Sequence, residues 1–117
     1  MKIAISSKGK EFEKSEVSEI FGRCPYFVIV EINNKEGDKR IDKIEVIENI
    51  SKNQMGGAGI SAAKSIVEKN VEVLITGNIG PRASSVLKQF NVRVYKGNGL
   101  IKDVLQKFMD SKLEKIE

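Results

Sequence analysis

The sequence predicts an α/β protein, a three-layer α/β/α arrangement around a five-stranded mixed sheet. The order of the segments carries this prediction, because strand-like segments come first and strands then alternate with helices. The run Val-Glu-Val-Leu-Ile at residues 71–75 supports it, since a short β-branched run is typical of a strand buried on both faces. A length of 117 residues suits one domain, residues 1–117.

The first half of the chain is predicted to contain three strands. The first covers residues 2–6, and residues 26–32 form a strongly apolar second strand. A polar turn at residues 33–38 predicts a hairpin to a third strand at about residues 40–48, whose charged side chains indicate a sheet edge. Between the first two strands, a short helix is expected with these residues on one side: Phe12, Val17, Ile20 and Phe21.

The second half is predicted to contain three helices and two strands. A glycine-rich connection leads into a helix with Ile60, Ala63 and Ile66 facing inward. Pro81 suits the first position of a second helix because its fixed φ and missing N–H fit there. A fifth strand follows at residues 92–95, then a last helix with a core-facing stripe from Leu100 to Met109. The charged residues 110–117 are expected to fray.

Composition excludes several classes of protein. An apolar fraction of 40%, with no long apolar run and no signal peptide, predicts a cytoplasmic protein that does not enter membranes. The net charge of +4 is spread among glutamates, and no aromatic series alternates with basic residues, which argues against nucleic acid. Histidine is absent and Cys24 is the one cysteine, so Ser-His and Cys-His catalytic pairs and internal disulfides are excluded.

Four glycine-containing turns are predicted to share one edge of the sheet. If the second strand runs against the other four, these turns and three helix N-termini open at one shallow cleft, where open α/β sheets usually bind ligands. Exposed helix N–H groups favour an anion, and two arginines add positive charge. The predicted binding residues are Gly22, Arg23, Gly56, Gly57, Gly59, Thr76, Gly77, Asn78, Gly80, Arg82 and Gly97.

Other motifs point away from an enzyme. Gly56-Gly57-Ala58-Gly59 lacks the Gly-x-Gly-x-x-Gly spacing of a dinucleotide site, and it is not a P-loop. The strand ends carry Ser6, Thr76 and Tyr95 rather than the carboxylates of a metal-dependent nuclease. Cys24, beside Arg23, is a lowered-pKa thiol, one soft metal ligand or a partly buried core residue, and the residue pattern leaves these alternatives open.

The motifs together resemble the dinitrogenase iron-molybdenum cofactor biosynthesis family of nitrogenase accessory proteins. The likeness covers nearly the whole chain, and the order and spacing of the motifs carry it. The motifs are Lys2-Ile3-Ala4-Ile5, Phe21-Gly22-Arg23-Cys24-Pro25-Tyr26-Phe27, Gly56-Gly57-Ala58-Gly59 with Ala62-Ala63, Thr76-Gly77-Asn78-Ile79-Gly80-Pro81-Arg82-Ala83, and Val94-Tyr95 followed by Gly97.

The resemblance implies a ribonuclease-H-like fold with an antiparallel second strand, and the binding or carriage of iron-sulfur or iron-molybdenum clusters. The chain departs from the family pattern at Ile20, where many relatives carry histidine. With Cys24 as the one strong soft ligand, one chain cannot supply the usual cysteine set of an iron-sulfur cluster. Cluster binding would therefore use Cys24 as a single metal ligand, with N–H groups and arginines around the anionic cluster, or it would join two chains.

The sequence therefore predicts a non-enzymatic binding or carrier protein for an anionic metal-sulfur cluster. Its expected partners are the cluster or a small anion and a cluster-assembly or acceptor protein, with the chain a monomer or weak homodimer. The alternative is a regulatory or interaction module that binds a partner protein or a small anionic metabolite without metal. Metal content separates the two hypotheses.

Overall fold

A computed structural model describes residues 1–35 and 38–116, which form one six-stranded mixed sheet with three helices. None of the helices in these two ranges is long and apolar enough to cross a membrane. The strands are β1 (Lys2–Ser7), β2 (Tyr26–Lys35), β3 (Asp38–Glu48), β4 (Val73–Thr76), β5 (Arg93–Lys96) and β6 (Glu114–Ile116). The helices are α1 (Ala58–Glu68), α2 (Pro81–Gln89) and α3 (Ile101–Met109).

The strand order is β3-β2-β1-β4-β5-β6. β1, β4 and β5 are parallel neighbours, β2 runs antiparallel to β1 and β3, and β6 runs antiparallel to β5. The antiparallel second strand and the position of β3 at a sheet edge are therefore confirmed. β4 is buried along its whole length, as its apolar run predicts.

The two faces of the sheet carry separate cores. One core joins the sheet to α1 and α2 and is centred on Phe21, Phe27, Ile66 and Leu87. The other joins the opposite face to α3, whose stripe of buried side chains includes Leu105. Successive strand residues point to opposite sides of the sheet, so apolar side chains lie on both faces. Amphipathic helices cover them, α1 and α2 on one face and α3 on the other.

The helix predicted around Phe12 to Phe21 is wrong. Residues 8–25 form turns and isolated bridges, and they cross the sheet edge from one face to the other. Val17 is buried in the α3-side core, Phe21 is buried in the opposite core, and Ile20 between them is 61% exposed. These apolar residues therefore belong to two cores rather than to one face of a helix. Their spacing in the sequence does not distinguish the two arrangements.

The count of five strands is also wrong, because the tail adds a sixth. Glu114–Ile116 pairs antiparallel with β5, and Ile116 packs against the core on the α1–α2 side. The pairing satisfies backbone groups of β5 that would otherwise form an open edge. Three residues with two charges give too little apolar pattern to predict a strand.

The predicted hairpin between β2 and β3 is confirmed as an antiparallel pair with a register shift at Glu31/Ile32. Its strands are longer than predicted and extend into the expected turn at residues 33–38. The tip of that turn, residues 36 and 37, lies outside the described residues.

Candidate functional site

Three of the four glycine turns meet in one shallow cavity of about 270 Å³ at the carboxyl edge of the parallel strands. The cavity, called here the glycine cavity, lies on the α1–α2 side of the sheet. It is formed by the turn before β2 and the first turns of two helices. The lining residues are Phe21, Gly22, Gly57, Gly59, Ile60, Gly80, Pro81, Arg82 and Ala83.

The absence of side chains at Gly22 and Gly59 allows the walls of the glycine cavity to approach one another. A Cβ atom on Gly22 would lie 2.9 Å from both Cα and N of Gly59. A Cβ on Gly59 would in turn lie 3.3 Å from the Cβ of Ala83. The turn before β2 therefore approaches the backbone at the start of α1 directly, and the start of α2 approaches α1 through the Ala83 side chain.

Two helix N-termini face the glycine cavity without a side-chain cap. The residues before α1 and α2 are Gly57 and Gly80, and neither can donate or accept through a side chain. The first backbone bonds run from the N–H of Ser61 to the Gly57 carbonyl and from Ser84 to Gly80. The N–H groups of Ala58, Gly59 and Ile60 in α1, and of Arg82 and Ala83 in α2, consequently have no partner in the described structure.

The two predicted arginines have different positions. Arg82 is exposed and lines the glycine cavity, where it adds positive charge beside the helix N–H groups. Arg23 instead donates through Nη1 to the carbonyls of Lys52 (2.9 Å) and Gln54 (2.8 Å). Arg23 therefore positions the loop that leads to Gly56 and Gly57, rather than lining the cavity itself.

Thr76, Gly77 and Asn78 hold the segment that crosses the sheet edge, residues 15–21, called here the edge-crossing segment. The Thr76 hydroxyl accepts from Ser6 Oγ at 2.7 Å, and the Gly77 N–H donates to the Ser18 carbonyl at 3.2 Å. The Asn78 carbonyl accepts from the Phe21 N–H at 3.1 Å. These three predicted site residues thus position Phe21 and the cavity wall behind it, and none of them lines the cavity.

Gly97 lies apart from the glycine cavity. Its N–H donates to the Thr76 carbonyl at 3.0 Å, so it shares the sheet edge as predicted. It lines a different cavity, however, with Val104 of α3. The third helix N-terminus is not open either, because the Ile101 N–H donates to the Ser15 carbonyl at 3.0 Å. Two helix N-termini, not three, therefore face the predicted cleft.

Cys24 is buried in the core behind the glycine cavity. Its exposed fraction is 0%, and burial raises the pKa of its thiol from 9.0 to about 12. The effect of burial exceeds the opposing effect of hydrogen bonds with the Ser7 backbone and Asn49. A protonated thiol without access to the cavity fits the core-residue alternative better than the metal-ligand prediction.

Within residues 1–35 and 38–116, no three His, Cys, Asp or Glu side chains come together in a way that could hold a metal ion. At the glycine cavity the described residues therefore offer uncapped helix N–H groups rather than a set of metal-ligating side chains. This agrees with the absence of histidine from the sequence.

Asn49 is a positioning residue that the sequence did not reveal. It is 2% exposed, and its Nδ2 donates to the carbonyls of Gly22 (3.1 Å) and Cys24 (2.9 Å). Its Oδ1 accepts from the Ser51 N–H at 3.1 Å. Asn49 thus fixes the turn that carries Gly22, and its place directly after the third strand was the available signal.

Proteins similar to this chain extend over nearly its whole length. Protein MJ0580 of Methanocaldococcus jannaschii, which is uncharacterised, is 39% identical over 118 residues, covering 100% of this chain and 97% of that protein. The crystal structure of the protein PH0822 has a TM-score of 0.80 at 29% identity, covering 99% of this chain and 96% of that one.

Two further solved structures have the same fold. The apo form of the orange protein from Desulfovibrio gigas has a TM-score of 0.83 at 28% identity, covering 98% of this chain and 92% of that one. The NMR structure of TM1290 from Thermotoga, described as a candidate NifB protein of the DUF35 family, has a TM-score of 0.75 at 33% identity, with coverages of 97% and 91%.

The family resemblance drawn from the sequence motifs is confirmed. The sequence model described as dinitrogenase iron-molybdenum cofactor matches residues 1–111, a range that includes every turn of the glycine cavity. The chain belongs to the dinitrogenase iron-molybdenum cofactor family.

Proposed function

We propose that this chain is a non-enzymatic binding or carrier protein for an iron-sulfur or iron-molybdenum cluster, or a related anionic metal cofactor. Family membership and the similarity to the orange protein indicate a role connected with cofactor binding or carriage. The cluster is the cargo, and the glycine cavity holds it.

The observation that carries the proposal is the pair of uncapped helix N-termini in one cavity. The free N–H groups of four lining residues, Gly59 and Ile60 in α1 and Arg82 and Ala83 in α2, carry the partial positive charge of a helix start. Among the described residues no carboxylate lines the cavity, and Arg82 supplies a full positive charge. Backbone N–H groups and a guanidinium bind sulfide-rich or oxygen-rich anions through charge-assisted hydrogen bonds.

The mode of binding is anion recognition without a ligand set from this chain. Cys24 is buried and protonated, and the described residues contain no cluster of metal-ligating side chains. A cluster recognised as a whole anion keeps its own metal–sulfur bonds. Its release to a cluster-assembly or acceptor protein then requires hydrogen bonds, not coordination bonds, to break, which suits a carrier.

A second candidate function uses the same cavity. Without a ligand set, the cavity is equally open to a small anionic metabolite in a regulatory or interaction module. The two functions differ in the metal that travels with the protein, so they are separated by its iron and molybdenum content after anaerobic purification.

The test titrates the apo-protein anaerobically with tetrathiomolybdate and, separately, with inorganic phosphate, and follows amide NMR shifts. We expect tetrathiomolybdate to shift the amides of Gly22, Gly59 and Ala83 first. Arg82→Gln weakens this binding about fivefold, the scale of one partly exposed charge-assisted contact. Lys88→Gln is the matched control, because it removes the same charge from the far end of α2.

Each outcome decides between the hypotheses. Shifts confined to surfaces outside the glycine cavity reject the site. If Arg82→Gln and Lys88→Gln weaken tetrathiomolybdate binding equally, net charge alone explains the effect. Phosphate shifts at the same amides, in a protein purified without iron or molybdenum, favour the metal-free module.

A further inference from the structure

A second cavity lies on the other face of the sheet and at its opposite edge. It encloses about 500 Å³, against about 270 Å³ for the glycine cavity. It lies beneath the C-terminal end of α3 and beside the first residue of β5. The lining residues that matter here are Ile32, Arg93, Tyr95, Phe108, Met109 and Leu113.

The walls of this α3-side cavity combine apolar side chains with polar groups. Ile32 forms part of its floor, and Phe108 packs edge-on against Tyr95 with ring centroids 5.1 Å apart. Phe108, Met109 and Leu113 are partly buried, so an apolar ligand would cover surface that solvent now reaches. The volume lies within the range of small-molecule sites, about 300–1,000 Å³.

Arg93 carries the one charged side chain among the lining residues, and the N-terminal ammonium of Met1 is a second positive group there, which lies 4.0 Å from the Glu72 carboxylate. The parallel register pairs Arg93 with Val73 and Tyr95 with Ile75, so both side chains belong to the α3 face. No carboxylate of the described residues forms an ion pair with its guanidinium.

The C-terminal end of α3 does not oppose an anion with free carbonyl groups. In its last turn, the carbonyls of Gln106, Phe108 and Lys107 accept hydrogen bonds from the N–H groups of Asp110, Ser111 and Lys112, respectively. A cavity that combines apolar side chains with a guanidinium lacking an ion-pair partner among the described residues is therefore complementary to a molecule with an apolar body and one negative end.

We propose that the α3-side cavity binds a small monocarboxylate with an aliphatic or aromatic body. The carboxylate pairs with Arg93, for which the planar guanidinium offers two parallel N–H donors. The body lies against Tyr95, Phe108 and Leu113. This site shares no lining residue with the glycine cavity, so the inference stands or falls independently of the proposed function.

The experiment compares octanoate with its neutral analogue octanamide by amide NMR titration of the full chain. We expect octanoate to shift the amides of Ile32, Tyr95 and Leu113, and to bind about fivefold to tenfold more tightly than octanamide. Arg93→Gln abolishes that preference, and Arg93→Lys retains part of it. Lys107→Gln, which removes an exposed positive charge from α3 outside this cavity, leaves the preference intact.

Three results would overturn the inference. Octanoate shifts located elsewhere would remove the site, and equal affinity for octanoate and octanamide would remove the role of the charge. An unchanged preference in Arg93→Gln would assign the charge selectivity to another group. Arg93 is exposed on β5, so its variants are expected to fold, and their dispersed amide spectra check this directly.

Discussion

The glycine turn after β4 and the glycine turn after β5 follow adjacent parallel strands, yet they belong to different parts of the molecule. The turn after β4 leads to Gly80 and Arg82 in the glycine cavity. The turn after β5 places Gly97 against Val104 and Ile75 in the α3-side core. The direction of a strand determines the edge of the sheet at which its turn lies. The packing of the following helix determines on which face of the sheet that turn lies.

The edge-crossing segment separates these two turns. Ser18 bonds to both Ser6 and Gly77, and Phe21 bonds to Asn78, so residues 15–21 lie over the ends of the central strands. The edge-crossing segment therefore lies between the glycine cavity and the Gly97 turn. The following substitutions test whether the two turns are as independent as this geometry requires.

Gly22→Ala is expected to have the largest effect on stability. The new Cβ would lie 2.9 Å from backbone atoms of Gly59, which cannot move without shifting the start of α1. We expect a loss of about 3 kcal/mol in the free energy of unfolding, at the upper end of ordinary overpacking. Urea denaturation measures it, and a loss below about 0.5 kcal/mol would mean that the cavity walls are not in contact.

Gly97→Ala is expected to cost about 2 kcal/mol, because its Cβ would meet the methyl groups of Val104 (2.6 Å) and Ile75 (2.8 Å). Side-chain methyl groups adjust more easily than backbone, which makes the cost smaller than for Gly22. Tetrathiomolybdate binding should be unchanged in this variant at temperatures where it stays folded. A parallel loss of binding would show that the two turns form one site after all.

Strands and helices with unambiguous periodicity could be predicted from the sequence. The apolar run of β4, the proline at the start of α2 and the stripe of α3 each specify one element and one orientation. The segment before β2 could not be predicted, because Val17 and Phe21 belong to different cores although their spacing is that of neighbours on one helix face. β6 is stabilised by backbone pairing with β5, and backbone pairing does not require an alternation of apolar and polar side chains that could be recognised in the sequence.

The sequence identified the residues at the sheet edge but not their separate roles. Glycine turns after parallel strands predict a shared edge, and Gly22, Gly59 and Gly80 do meet there. Neither the side on which Gly97 lies nor the carbonyl partners of Arg23 follow from residue type, because both depend on tertiary packing. The burial of Cys24 depends on packing in the same way.

The burial of Cys24 predicts a pH dependence of stability. Its pKa is raised to about 12 in the folded chain, so the unfolded chain loses the proton first, at about its ordinary value of 9.0. The stabilisation by the neutral thiol is complete below pH 9 and is lost as the pH rises from about 9 towards 12. The expected loss is about 1 kcal/mol between pH 9 and pH 10, because half of the unfolded chains have already lost the thiol proton at pH 9.

Cys24→Ser provides the control for this pH dependence, since its hydroxyl does not titrate in that range. The difference in free energy of unfolding between the two proteins should shrink by that amount between pH 9 and pH 10, in urea titrations at matched ionic strength. A constant difference would indicate a thiol that ionises as readily in the folded as in the unfolded chain. The metal-ligand prediction for Cys24 would then regain support.

Gly80→Ser is expected to have the smallest effect on stability, and that effect is a gain. A Cβ on Gly80 meets no atom within 4 Å, and the φ of −76° is accessible to serine. Serine at this position can accept a hydrogen bond from the Ala83 N–H, which we expect to raise the free energy of unfolding by about 0.5 kcal/mol. The same bond occupies an N–H that the proposed anion needs, so stability should rise while tetrathiomolybdate binding falls about threefold.

Gly80→Ala adds the Cβ without the acceptor, and it should leave the N–H free and the binding nearly intact. If serine and alanine weaken binding equally, steric filling of the glycine cavity explains the loss, and the uncapped helix start is not what attracts the anion.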